Sequence, residues 1–278
     1  IKSFQRIKAV KSSKKYISIP EKSLKKIEKL VKNLKDIELI IQPNSISLRS
    51  KPKFITSKLE EDYVMIVHDD DLYSSQLILN SIEIIKKYKP ISLALHTTQI
   101  NADLKLFEGR RSNNSKRIKK LSPNMVLARY FLPFEKSLFY PAIIFQRIAF
   151  IKYWEENLLP IGSHEDVKIN YYMAKKGVFL EWENPNLYFY RIHQSQDSYR
   201  RNEFDRLRLI AWLKNLKINF IFKTIFLSSS KLQYLIFYKK IETRIRFLEK
   251  ILLKLRISLI KYRVGGKVSG ELNSKNFS

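Results

Sequence analysis

Apolar positions along the chain follow two rhythms. Short runs, KYISIP (15–20), DIELIIQP (36–43), residues 62–67 and ISLALHTT (91–98), are compact, apolar and bounded by Pro, Asn or Ser, and predict strands. Longer stretches repeat every three to four residues. In EKSLKKIEKLVKNL (21–34), Leu24, Ile27, Leu30, Val31 and Leu34 share one face and lysines the other, and SQLILNSIEIIKKY (75–88) runs up to Pro90. Strand, helix, strand, repeated, predicts an α/β layered domain with a largely parallel sheet flanked by helices.

The second half continues the pattern and then changes. Residues 108–122, EGRRSNNSKRIKKLS, lack an apolar period and read as a loop, either a linker or a gate over substrate. Residues 139–153 read as a strand entering a helix. SHEDVKINYYMAKKG (163–177) carries helix punctuation: Ser163 as N-cap, acids in the first turn, Lys175 and Lys176 in the last, Gly177 as the stop. VFLEW (178–182) and LYFYRIH (187–193) read as strands. From 203 onward only helical spacing remains, and Tyr234, Tyr238, Ile241, Ile245, Leu248, Leu252, Leu255, Leu259 and Tyr262 form a heptad seam. These boundaries divide the chain into a domain over 1–215 and a basic helical extension with a flexible tail over 216–278.

Composition narrows the class. The 278 residues are 45% hydrophobic and 13% aromatic, enough for a sizeable core. The balance of 53 Lys+Arg over 26 Asp+Glu gives +27, a surface that favours polyanions. Without cysteine, disulfides and thiolate metal sites are excluded, as suits a reducing cytosol. The opening residues lack the apolar core of a signal peptide, and no run of 18 apolar residues predicts a spanning helix.

In so basic a chain the acidic stretch HDDDLY stands out. Asp69, Asp70 and Asp71 follow an apolar strand, and ligands of α/β sheets bind beyond such strand ends. Adjacent carboxylates stay ionised when a cation or donors compensate them, and a hard divalent ion such as Mg²⁺ or Mn²⁺ does so. The competing reading is a solvated turn with an aspartate capping the helix over 75–88. Glu165 and Asp166 open a predicted helix, where its dipole favours their anions; acids there are also ordinary. A carboxylate at that place can act as general base toward a hydroxyl. His193 ends a strand and reads either as structural or as a nitrogen ligand beside the aspartates.

HDDDLY after a strand, PAIIFQRIAFIKYWEENLLPIGSHEDVKINYYMAKKG, and LYFYRIHQSQDS, in this order, resemble the family-2 glycosyltransferases of bacterial surface-polysaccharide synthesis, which have the GT-A fold. The resemblance spans residues 15–200. It implies a nucleotide-sugar donor, a glycan or lipid-linked acceptor, and inverting, metal-dependent transfer in lipopolysaccharide or capsule synthesis. Position by position, it implies that Asp69 and Asp71 hold a divalent metal (Mn²⁺ or Mg²⁺) on the donor diphosphate. Asp70 would touch the ribose or donor sugar, and Arg191 would lie beside the donor. Asp166 would deprotonate the acceptor, Glu165 would orient it, and His193 would close over the metal-diphosphate. The front of the chain departs from the pattern: KYISIP runs straight into EKS, and Pro43 stands where an aspartate is expected, with Asn44 as its substitute in binding the nucleotide.

The basic residues around the heptad seam leave three readings: packing on the catalytic domain, self-association, or attachment of 231–263 to an anionic membrane surface. The last implies a cytoplasmic protein peripheral on the inner face of the bacterial membrane. Two rival functions accompany the enzyme: a degenerate scaffold or sugar-binding module, suggested by Pro43 and the short first loop, and a nucleic-acid-binding protein, suggested by the charge. No aromatic-interleaved basic motif supports the latter, so no nucleic-acid partner is expected.

Overall fold

The computed structural model describes residues 14–24, 37–47, 50–68, 71–101, 117–132, 138–157, 161–183, 188–192 and 203–238. Strands β1 (Lys15–Pro20) and β2 (Ile37–Gln42) pair in parallel, with Ile17 opposite Leu39. Helix α1 (Ser50–Ser57) leads to β3 (Tyr63–Met65) and β4 (Leu72–Tyr73). Helix α2 (Ser75–Tyr88) follows, then β5 (Ser92–Leu95) and β6 (Thr98–Asn101). Next come β7 (Arg117–Leu121), α3 (Pro123–Phe131), β8 (Ile143–Gln146) and α4 (Arg147–Glu156). The series closes with α5 (Glu165–Lys176), β9 (Phe179–Glu183), β10 (Tyr188–Ile192), α6 (Glu203–Asn215) and α7 (Phe220–Tyr238).

The central sheet has the order β3-β8-β5-β9-β7. The expected α/β layering is present, with mixed strand directions: β5 and β9 are parallel, while β8 runs against β3 and β5, and β7 against β9. Strand periodicity sorts side chains to two faces. Val64, Ala94, Ile143, Phe145 and Phe179 pack with α3, α4 and α5, through Val126, Phe150, Tyr153, Ile169 and Met173. Their neighbours Leu93, Leu95, Ile144, Leu180 and Trp182 pack on the other face against α2, through Leu77 and Ile84. The middle strand β5 is buried along its whole length, as a strand covered on both faces must be.

A second sheet, β4-β10-β6, is built from continuations of the first. The strands β3, β5 and β9 run in one direction, and each chain passes beyond its carboxyl end into the small sheet: β3 toward β4, β5 into β6, β9 toward β10. The strand expected over 91–98 is thus broken at His96–Thr97, where the backbone changes sheets.

Other expectations are corrected. The loop expected over 108–122 contains β7, because Arg117–Leu121 lies against β9 and Lys119 forms an ion pair with Glu183. Helix α3 follows it, capped by Ser122, whose hydroxyl accepts the Met125 N–H at 3.3 Å. Helix α5 starts at Glu165, after a 3-10 turn over Gly162–His164, and Ser163 does not cap it. Most of the helix expected over 21–34, and of the heptad seam over 234–262, lies outside the described residues.

Past residue 215 the chain still shares the core. Phe226 of α7 is fully buried with Leu127 and Phe131 of α3 and Leu209 and Leu213 of α6, and Ser229 donates to the Phe131 carbonyl at 2.6 Å.

Glu61 ties the front pair of strands to this body. It accepts from the Tyr16 hydroxyl at 3.0 Å and faces Lys14 at 3.5 Å, while its carbonyl takes the Arg147 Nε–H at 2.8 Å. Burial pushes its carboxyl pKa up, but backbone N–H groups, the Tyr16 hydroxyl and Lys14 outweigh this and hold it below the ordinary 4.5. The folded state therefore prefers the anion, so this stabilisation is complete above the unfolded value and is lost as pH falls through the folded one. Urea unfolding of Glu61→Gln is expected to show a loss of about 1 kcal/mol at pH 7 that shrinks as pH drops below 4.5. An equal deficit at pH 7 and pH 3 would refute the assignment.

Candidate active site

The carboxyl ends of β3, β5 and β9 meet three further segments. The turn over Tyr140–Ala142 enters the antiparallel β8, so it lies at that same edge. Helix α5 returns the chain to the amino end of β9; its 12 residues extend about 18 Å, which carries its N-terminus back toward the carboxyl edge. The small sheet forms the third wall.

Asp71 lies beneath that wall. It is 1% exposed; its Oδ2 accepts from the Tyr188 hydroxyl at 2.7 Å and its Oδ1 from the Arg191 N–H at 3.0 Å. Burial, then the charge of Asp71 and its hydrogen bond, raise the Tyr188 phenol pKa well above 10. The solvated-turn reading fails for Asp71, and Ser74 rather than an aspartate caps α2, accepting the Leu77 N–H at 3.2 Å. Both oxygens of Asp71 thus accept donors from β10, and a carboxylate is a hard oxygen donor of the type that divalent cations take. Asp69, Asp70 and His193, the other residues expected around such an ion or the donor, lie outside the described residues. Among the described residues no three His, Asp or Glu side chains gather around a common point.

The second acidic pair divides in role. Glu165 accepts the Tyr153 hydroxyl on Oε1 and the Ile161 N–H on Oε2 at 2.9 Å, which fastens the approach to α5. The same turn is held from the far side by Asp205 of α6, which accepts the Ser163 N–H at 3.0 Å. Gly162 makes this possible: its φ is +67°, and a Cβ there would fall 1.9 Å from Asp205 Oδ1. Asp166 follows in the first turn, half-buried. Its charge bears on two buried phenols. Burial, then Asp166, raise the Tyr130 pKa, against a hydrogen bond from Asn170 Nδ2 at 2.7 Å; burial, then Asp166 and Glu165, raise that of Tyr140.

The turn over 139–142 joins the two acidic sites. Phe139 packs on Tyr190 of β10, ring centroids 4.6 Å apart, while Tyr140 is electrostatically coupled to Asp166. Asp71, Arg191, Glu165 and Asp166 are thus assembled around one edge of the sheet. Asn44 lies at the ends of β1 and β2 and bridges them: its Oδ1 accepts the Lys22 N–H at 3.0 Å and its Nδ2 donates to Glu21 at 3.3 Å. The sequence reasoning missed Tyr188, Tyr130, Tyr140, Asn170 and Asp205. Only Asn170, one turn beyond Asp166 on the helix, carried a local signal.

This layering, with a small sheet over the carboxyl ends of the main strands, is a GT-A-type fold. The Staphylococcus aureus TarS 1–349 complex with UDP-GlcNAc superposes with a TM-score of 0.59 at 10% identity, over 95% of this chain and 76% of that one. The TarS 1–349 complex with UDP gives 0.53 at 11% identity, over 98% and 89%. No protein-family model and no curated protein matches the chain.

Removing the Tyr188 hydroxyl leaves a buried carboxylate oxygen short of its donor. Tyr188→Phe is expected to cost about 1–3 kcal/mol in chemical denaturation. A variant as stable as wild type would mean that Asp71 is satisfied by other donors.

Proposed function

We propose that the protein is a family-2 glycosyltransferase that moves a sugar from a nucleotide-sugar donor to a hydroxyl of a glycan or lipid-linked acceptor in bacterial surface-polysaccharide synthesis. One observation carries this reading: a buried aspartate after β3 and a carboxylate at the N-terminus of α5 converge on one edge of a sheet whose fold matches TarS, a glycosyltransferase solved with UDP-GlcNAc. That likeness supports the choice of a sugar nucleotide as donor and leaves its sugar open.

In this reading Asp166 takes the proton from the acceptor hydroxyl as that oxygen attacks the anomeric carbon, inverting it in one displacement. Asp166 sits in the first turn of α5, where the helix dipole favours negative charge, and Glu165, through Tyr153 and Ile161, keeps the helix start in place. The buried phenols of Tyr140 and Tyr130 lie within reach of the Asp166 charge. Asp69 and Asp71, with His193, would hold a divalent cation, whose chemistry is to neutralise the departing diphosphate. Asp71 orients that segment by its anchorage to β10. Asp70 and Arg191 are assigned to the donor. Asn44, which also ties the two strand ends together, is assigned to the nucleotide. The site of action is the cytoplasmic face of the membrane.

Thermal unfolding in a panel of sugar nucleotides, with and without Mn²⁺, tests the donor assignment. Saturation at a hundred times the dissociation constant is expected to add about 2.7 kcal/mol, for one donor and only with metal. Asp166→Asn is expected to retain donor binding and lose about 10²–10⁴-fold in transfer rate. Unchanged transfer removes Asp166 from the base role. Donor binding by the wild type without any turnover across acceptors favours the sugar-binding scaffold instead.

A further inference from the structure

Helix α7 departs from an ordinary surface helix on its outward side. Its inward side carries Phe226, which is fully buried, and Ser230. Its outward side, where water-facing helices carry charge, is apolar at its start. Phe220 is 80% exposed, Ile221 66%, Phe222 44% and Ile225 42%. Scattered exposed apolar residues are ordinary, whereas four in six consecutive positions at one corner form a patch. Lys214 and Lys217 just before it and Lys231 beyond it are exposed. Every charged residue from Arg206 to Lys240 is Lys or Arg. No helix among the described residues is long and apolar enough to cross a membrane.

We propose that the start of α7 is a docking face for an anionic lipid bilayer. Phe220, Ile221, Phe222 and Ile225 enter the boundary between headgroups and acyl chains, while Lys214, Lys217 and Lys231 meet lipid phosphates. The charge pattern selects this occupant. A second copy of the chain would bring the same cations face to face, whereas an anionic surface compensates them. This contact lies ahead of most of the basic segment expected to reach the membrane. It does not depend on the transfer reaction.

The chain contains no cysteine, so one introduced thiol carries a label at a single place. Full-length Phe220→Cys bearing an environment-sensitive dye is mixed with vesicles of phosphatidylglycerol and phosphatidylethanolamine. Phosphatidylcholine vesicles, and Ile148→Cys on α4 with a residue 50% exposed in the native chain, serve as comparisons. The dye at 220 is expected to brighten several-fold on the anionic vesicles only, with no change at 148. In co-sedimentation, the double variant Phe220→Ser with Ile221→Ser is expected to partition about tenfold less than wild type, with unaltered thermal unfolding. A dye at 220 that does not respond, or one that responds equally at 148, overturns the proposal. So does a dye already shielded without lipid: in a dimer by sedimentation velocity the occupant is a second copy, and in a monomer it is residues 239–278.

Discussion

A carboxylate held between two strands sets the geometry from which the rest follows. Asp71 has almost no contact with water, and an anion so placed requires donors on both oxygens. Tyr188 and the Arg191 amide supply them from β10, so the acidic segment after β3 and the strand after β9 are fixed to each other. The small sheet over the main sheet's edge is a consequence of this attachment as much as of its few ladder pairs. Without the side-chain anchor, β4 has only two residues with which to hold β10.

The second acidic site is aimed by a different device. A helix start can swing unless its preceding turn is restrained. Here Glu165 and Asp205 grip that turn from opposite sides, one through Ile161 and one through Ser163, about a glycine that admits the second carboxylate. Two acids thereby hold the turn, and Asp166 follows in the first turn of α5, where its charge bears on the buried phenols of Tyr130 and Tyr140.

Local signals made much of the fold legible. Helix α2 was readable to the residue because its apolar spacing, terminal lysines and following Pro90 agree, and β1 because Pro20 ends a compact apolar run. Strand β7 was not readable. RIKKL resembles a solvated loop until its partner is known, and Lys119 finds Glu183 only across 64 residues. The site divides similarly. Asp71 and Asp166 were visible as charges out of place in a basic chain. Their settings were not, since Tyr188 and Arg191 reach Asp71 from 117 and 120 residues away. Ser163 looked like a helix cap, but it lies in a 3-10 turn ahead of α5, and Asp205 of another helix accepts its backbone N–H. A pattern along the chain shows which groups need compensation, and tertiary packing decides which groups provide it.

The three covalent crossings from the large sheet to the small one have a mechanical meaning. Strands β3, β5 and β9 enter the upper layer separately, and β10 is bonded there to both β4 and β6. A force applied to any one crossing is therefore shared by the other two. The small sheet is thus linked through β10 rather than standing as three independent flaps.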